Sequence, residues 1–154
     1  MTSGWLSFDT LSDFVGRPIG LSSWIDVPQS RIDAFAECTG DRQWIHIDPE
    51  RARCESPYRA PIAHGFLTLS LLPMAVYEIF AGLNAKKSIN YGLDRVRFIA
   101  PVRAGSSVRV SATLLEVEQR PEDWFFLRSE NRVEIEGEDK PAVIAVSLGL
   151  FCRT

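Results

Sequence analysis

The sequence is poor in the residues that mark several functional classes. It has three cysteines, Cys38, Cys54 and Cys152, an odd count with no C-x-x-C pair. That argues against a disulfide framework and a cysteine zinc site, and for buried or partly buried thiols in a reducing compartment. Lysine and arginine do not gather into a patch. Their nearest groupings, Lys86-Lys87 and Arg95/Arg97, are short, and the net charge is −3. Nucleic-acid binding requires a basic face, so no nucleic-acid partner is expected. No lysine or arginine precedes Arg17, so the charged start of a secretory signal is missing, and the final FCRT is no targeting signal. The one long apolar run, residues 64–82, is interrupted by Pro73 and Glu78 and has no second copy. A membrane span is therefore not expected, and cytoplasm is the expected location. Histidine is scarce too: only His46 and His64 occur, both in one region.

What is present reads as an α+β protein, one domain over residues 1–154. A short strand is expected around Leu21–Val27. A helix follows over about 31–39, with Ser30 as its cap, Asp33 completing a capping-box-like pattern, and Gly40 ending it. Asp48 caps a second, short helix with Pro49 in its first turn. Residues 56–62, with two prolines, read as an ordered loop. Residues 64–82 (HGFLTLSLLPMAVYEIFAG) are apolar almost all round, which predicts a buried helix kinked or divided at Pro73. Strands are expected at Tyr91–Ala100, Val108–Leu114, Trp124–Arg128 continuing into Arg132–Ile135, and Ala142–Phe151. Turns fall at Gly105-Ser106, at residues 120–123 and at GEDKP. Runs in series favour antiparallel pairing, giving a sheet wrapped against the long helix.

Chemistry concentrates in two segments, GDRQWIHIDPERA and PIAHGFLTLSLLP. Together they resemble the MaoC-like dehydratase family, or hydratase-2 family, in its nodulation-protein-N-like branch. Members are (R)-specific enoyl-CoA hydratases with a hot-dog fold. The family pattern is roughly D-x-N-P-x-H-x-D, a loop, and then an H-G step into the long helix. The resemblance implies that Asp41 and His46 are the catalytic aspartate and histidine. It implies that Gly65 is the glycine whose backbone N–H polarises the substrate thioester. Two positions depart: Gln43 stands where the pattern has Asn, and Trp44 where it has Pro. Trp44 changes the wall beside the site.

The chemistry fits this mapping. Hydrating an α,β-unsaturated thioester needs a base for water, an acid for C2 and a donor for the enolate-like oxygen. A histidine serves near neutral pH, and a carboxylate can share its water. The five-residue offset from Asp41 to His46 is expected to lie in a loop that turns both side chains to one point. Helix starts carry free N–H groups, and glycine admits a close approach. Trp44, Tyr58, His64 and Phe66 are the candidates for substrate binding. His64 also suits a hydrogen bond that fixes the loop and the helix start. Ser70 is expected to pack against the sheet. His46, Asp48 and His64 lack the spacing of a metal motif, so no metal ligand is assigned. The resemblance implies no cofactor, since the CoA or acyl-carrier-protein arm arrives with the substrate, and it implies a homodimer. Two alternatives use the same fold: a thioesterase, for which the helix offers only Glu78, and a non-catalytic acyl-binding subunit.

Overall fold

The structure is a computed structural model that describes residues 6–154, so the first five residues of the N-terminal stretch without Lys or Arg lie outside the described residues. A 3₁₀ turn at Leu11–Phe14 leads into β1 (Pro18–Leu21) and β2 (Ile25–Val27), two short strands where one was expected. Both pair with the same neighbour, β4 (Ser106–Arg120).

The first helix, α1, spans Gln29–Thr39. It starts before Ser30, at Pro28, and no side chain caps it. The expected Ser30 cap is therefore incorrect: Pro28, with φ fixed near −69° and extended ψ, sets the helix entry two residues earlier. Gly40 ends the helix as expected, with φ of 80° and its N–H on the Ala36 carbonyl at 2.8 Å. Next comes α2 (Trp44–Ile47), a single turn, where a loop was expected. Asp48 caps α3 (Pro49–Glu55) as anticipated, accepting from the Arg51 N–H at 3.0 Å.

The long apolar run forms two helices, α4 (Gly65–Ser70) and α5 (Leu72–Ile79). Pro73 has no N–H for the Leu69 carbonyl, and its ring crowds that carbonyl. The Leu71 N–H fills the gap, reaching Thr68 and Leu69. One face, with Leu67, Leu72, Ala75 and Ile79, is buried in the main apolar cluster. The opposite face is not buried as expected: Phe66, Met74 and Tyr77 are exposed.

Four long strands complete the sheet: β3 (Lys87–Phe98), β4, β5 (Trp124–Ile135) and β6 (Val143–Cys152). All neighbours are antiparallel, in the order β1-β4-β5-β6-β3. Alternation drives the packing: Val108, Val110, Ala112 and Leu114 of β4 are buried while the intervening residues are more open. The β4–β5 turn is tight, with Glu122 and Asp123 both at positive φ. The core residues of the sheet and of α4–α5 form one cluster, a sheet packed on a divided helix: the hot-dog arrangement. The outer strand β3 differs from the rest. Almost every residue along it is open on both faces. Two thiols also depart from expectation, since Cys38 and Cys54 are exposed and only Cys152 is buried. Both lie on the outer faces of surface helices.

Candidate active site

Three side chains from two segments meet at one point. The ligand atoms of Asp41, His46 and His64 all lie within 4.8 Å of one another. Asp41 stands just beyond the left-handed Gly40, with its side chain exposed. His46 sits on the single turn α2 and is 8% exposed; His64 immediately precedes α4 and is 3% exposed. Their rings stack at 3.8 Å between centroids, with planes 28° apart. Phe35 of α1 packs on the far side of His64 at 5.0 Å.

Backbone carbonyls set both tautomers. His46 Nδ1 lies 2.7 Å from the Ile62 carbonyl. A carbonyl only accepts, so Nδ1 donates, and the neutral ring keeps its lone pair on Nε2. His64 Nε2 likewise donates to the Asp41 carbonyl at 2.9 Å. Its Nδ1 is then a lone-pair nitrogen, buried without a partner. His64 thus fixes the loop that carries Asp41. The α2 turn is held from outside as well: Gln29 Nε2 donates to the His46 carbonyl at 2.7 Å, and the Ile62 N–H to the Ile45 carbonyl at 3.1 Å.

Burial pushes the His46 imidazole below its ordinary value of 6.5, and His64 acts in the same direction. The Ile62 carbonyl and the Asp41 charge oppose them. The net direction keeps His46 neutral at pH 7, the form that takes a proton from water. Gly65 is the first residue of α4, so its N–H has no acceptor within that helix. A Cβ on Gly65 would stand 2.9 Å from Phe98 Cδ1, so any larger residue here requires the Phe98 ring to move aside.

Other expected site residues lie elsewhere. Trp44 is half-buried, with its ring covered by the Arg51 guanidinium at 4.4 Å. Tyr58 is half-buried in the turn after α3, its N–H on Ser56 Oγ at 3.1 Å. Phe66 is 69% exposed, beside Phe98 at 5.8 Å. It borders an apolar cavity of about 270 Å³ lined by α4, α5, β3, β5 and β6, which neither Trp44 nor Tyr58 lines. Ser70 lines this cavity and is exposed, so it does not pack on the sheet as expected; its Oγ donates to the Leu67 carbonyl at 2.7 Å. Asp48 serves α3 and does not join the histidines. Asp41, His46 and His64 also stand close enough to offer one ligand atom each to a metal ion, a set in which Asp41 takes the place considered for Asp48. Residues that sequence reasoning missed are Gln29, Ile62 and Phe98. Gln29 carried a faint signal as a polar residue at a helix start, and the Ile62 contact, made by a backbone carbonyl, carried none.

A sheet packed on a divided helix, with a carboxylate and two histidines gathered ahead of the helix start, defines a hot-dog protein with a site able to exchange protons. Comparison with known proteins then gives the family. The MaoC like domain matches residues 11–125, and the chain belongs to this family. It is 41% identical over 145 residues to 3-hydroxyacyl-thioester dehydratase Z of Mycobacterium tuberculosis, covering 92% of this chain and 95% of that protein. It is 45% identical over 141 residues to Nodulation protein N of Rhizobium leguminosarum bv. viciae, covering 91% and 88%. Among solved structures, R-hydratase PhaJ1 from Pseudomonas aeruginosa superposes with a TM-score of 0.72 at 25% identity, covering 90% of this chain and 81% of that one.

Proposed function

We propose that the chain is an (R)-specific enoyl-CoA hydratase, a hydro-lyase that reversibly adds water across a trans-2-enoyl thioester. The observation that carries this reading is the gathering of Asp41, His46 and His64 within 4.8 Å, directly before the free N–H of Gly65. The related dehydratase and R-hydratase support it. Water sits between the Asp41 carboxylate and His46 Nε2. Its oxygen bonds to C3 as Nε2 takes a proton. The C2–C3 π electrons shift toward the thioester, and the Gly65 N–H stabilises the enolate-like oxygen. The His46 imidazolium then returns that proton from Nε2 to C2 on the same face, and the thioester carbonyl re-forms. Dehydration is the reverse. No step passes through a metal or a redox cofactor. CoA or an acyl carrier protein is the carrier.

The apolar cavity takes the acyl chain. Its volume of about 270 Å³ and its mostly apolar walls suit an alkyl chain. Phe66, next to Gly65 in sequence, stands at the cavity wall. Glu78 does not serve a thioesterase: its carboxylate accepts from the Ser23 N–H at 2.9 Å and the Ser23 hydroxyl at 2.6 Å. Loss of enoyl absorbance from crotonyl-CoA, with (R)-3-hydroxybutyryl-CoA as product, is the expected result. Release of free thiol with the enoyl group intact would contradict it.

The chain works as a homodimer joined along β3. That outer strand has one unpaired edge and exposes Ile89, Tyr91, Leu93 and Phe98, while α5 exposes Met74 and Tyr77. Such an apolar edge favours pairing. Size exclusion with light scattering should give twice the chain mass, and a strictly monomeric protein would refute the dimer. Among the described residues no helix is long and apolar enough to cross a membrane. Cytoplasm is the location this reading assigns.

A further inference from the structure

We propose that the acyl cavity selects chains carrying a hydrogen-bond-accepting oxygen, a hydroxyl or keto group beyond the reacting carbons, through the hydroxyls of Ser129 and Ser147. The inference rests on the acyl-thioester reading above. The core-facing side of β5 runs Leu127, Ser129, Asn131, Val133, all buried. Two polar residues thus interrupt an apolar row in mid-strand, where burial of polar atoms costs free energy unless they are paired. Ser147 stands opposite Ser129 in the β5–β6 register. Both serines line the cavity. Asn131, fully buried, braces them.

The hydrogen-bond count leaves one donor over. Asn131 Nδ2 lies 3.1 Å from the Ser129 carbonyl, which can only accept. That contact fixes the amide, with Nδ2 toward the serines. Nδ2 then donates to Ser147 Oγ at 2.7 Å and approaches Ser129 Oγ at 3.2 Å. With its two hydrogens on the Ser129 carbonyl and Ser147 Oγ, the amide offers neither hydroxyl an acceptor. The two hydroxyls bond each other at 3.2 Å, which uses one of their two protons. Among the described residues the second proton has no acceptor, and it belongs to a serine that lines the cavity. Asn131 Oδ1 is also buried without a partner, so the cluster as a whole is under-satisfied. A plain alkyl chain laid over this spot would strip water from the donor and return nothing. An oxygen on the chain would complete it. Sites built around a buried polar group discriminate strongly against ligands that leave it unpaired.

The test is calorimetric binding of decanoyl-CoA and of hydroxydecanoyl-CoA isomers, with the hydroxyl moved stepwise from mid-chain to the end. One isomer should bind the wild-type chain about tenfold tighter than decanoyl-CoA, or ~1.4 kcal/mol. The advantage should fall below about threefold in Ser147→Ala and in Ser129→Ala, each confirmed folded by thermal unfolding. Ser147→Thr, which keeps a hydroxyl, should retain most of it. If no isomer outbinds decanoyl-CoA, or the advantage survives in both alanine variants, the proposal is overturned. Crotonyl-CoA hydration is scored separately. Activity without selectivity overturns this proposal alone, and selectivity without activity overturns the reaction alone.

Discussion

His64→Ala removes the side chain that joins the two halves of the site. Its ring is 3% exposed, stacks on His46 and donates to the Asp41 carbonyl. Losing a buried ring of this size costs about 2–3 kcal/mol in packing. The lost hydrogen bond adds about 1 kcal/mol, and deleting the unpartnered Nδ1 returns about as much. The net is about 2–3 kcal/mol. For a chain of this length each kcal/mol moves the Tm by roughly 2–4 °C, so the expected fall is roughly 4–12 °C. Activity should fall further than stability alone explains. Asp41 loses its anchor and His46 its stacking partner, and a displacement of about 1 Å costs about 100-fold in rate. His64 also helps to hold the His46 imidazole down, so the acid limb of the pH profile should move up. His64→Gln, which keeps a donor for the Asp41 carbonyl, should recover part of the loss. The measurements are kcat/KM for crotonyl-CoA hydration across pH, with calorimetric Tm. A lowered Tm with kcat/KM within about twofold of wild type and an unmoved acid limb would refute the positioning role.

Two further predictions follow from the same geometry. Gly65→Ala sets a methyl 2.9 Å from Phe98 Cδ1, and because Phe98 is half exposed its ring can give way, so the stability cost should stay near 1 kcal/mol while kcat/KM falls about 10–100-fold; an unchanged rate would refute the claim that the thioester must approach the Gly65 backbone closely. Burial lowers the His46 imidazole, so below pH 6.5 the unfolded chain binds a proton that folded His46 does not. Its contribution to stability is complete above 6.5 and is lost as pH falls through the lowered folded value. The acid limb of wild-type kcat/KM should lie below 6.5, and a limb above it would contradict the stated balance of burial and charge.

The sheet, the division of the long run at Pro73 and the cap at Asp48 were legible because each rests on local chemistry: alternation, a missing N–H, a side-chain acceptor. Asp41, His46 and Gly65 were singled out through the resemblance of their two segments to the family motif, and the fold brings Asp41 and His46 together just ahead of the helix that Gly65 starts. The start of α1 was not, because Pro28 sets it without a capping side chain. The helical turn under His46 was not, because it is held by Gln29 and by the Ile62 and Ile45 backbone, contacts that only the folded chain creates. Trp44 shares the single turn of His46, and Arg51 in the first turn of α3 lies over its ring, a contact that the sequence did not announce. The open face of α4–α5 was misread for a related reason: an apolar helix surface does not say what covers it. Ser129, Asn131 and Ser147 stood in plain sight at core-facing positions, but only the register shows that they meet.

The most direct test of the central claim compares wild type with Asp41→Asn, His46→Ala and the double variant in crotonyl-CoA hydration. Each single change should lower kcat/KM by about 100-fold or more with the fold retained. The double variant should lose little beyond the worse single, because both groups act on one water. Near-wild-type hydration in either single variant would contradict the account.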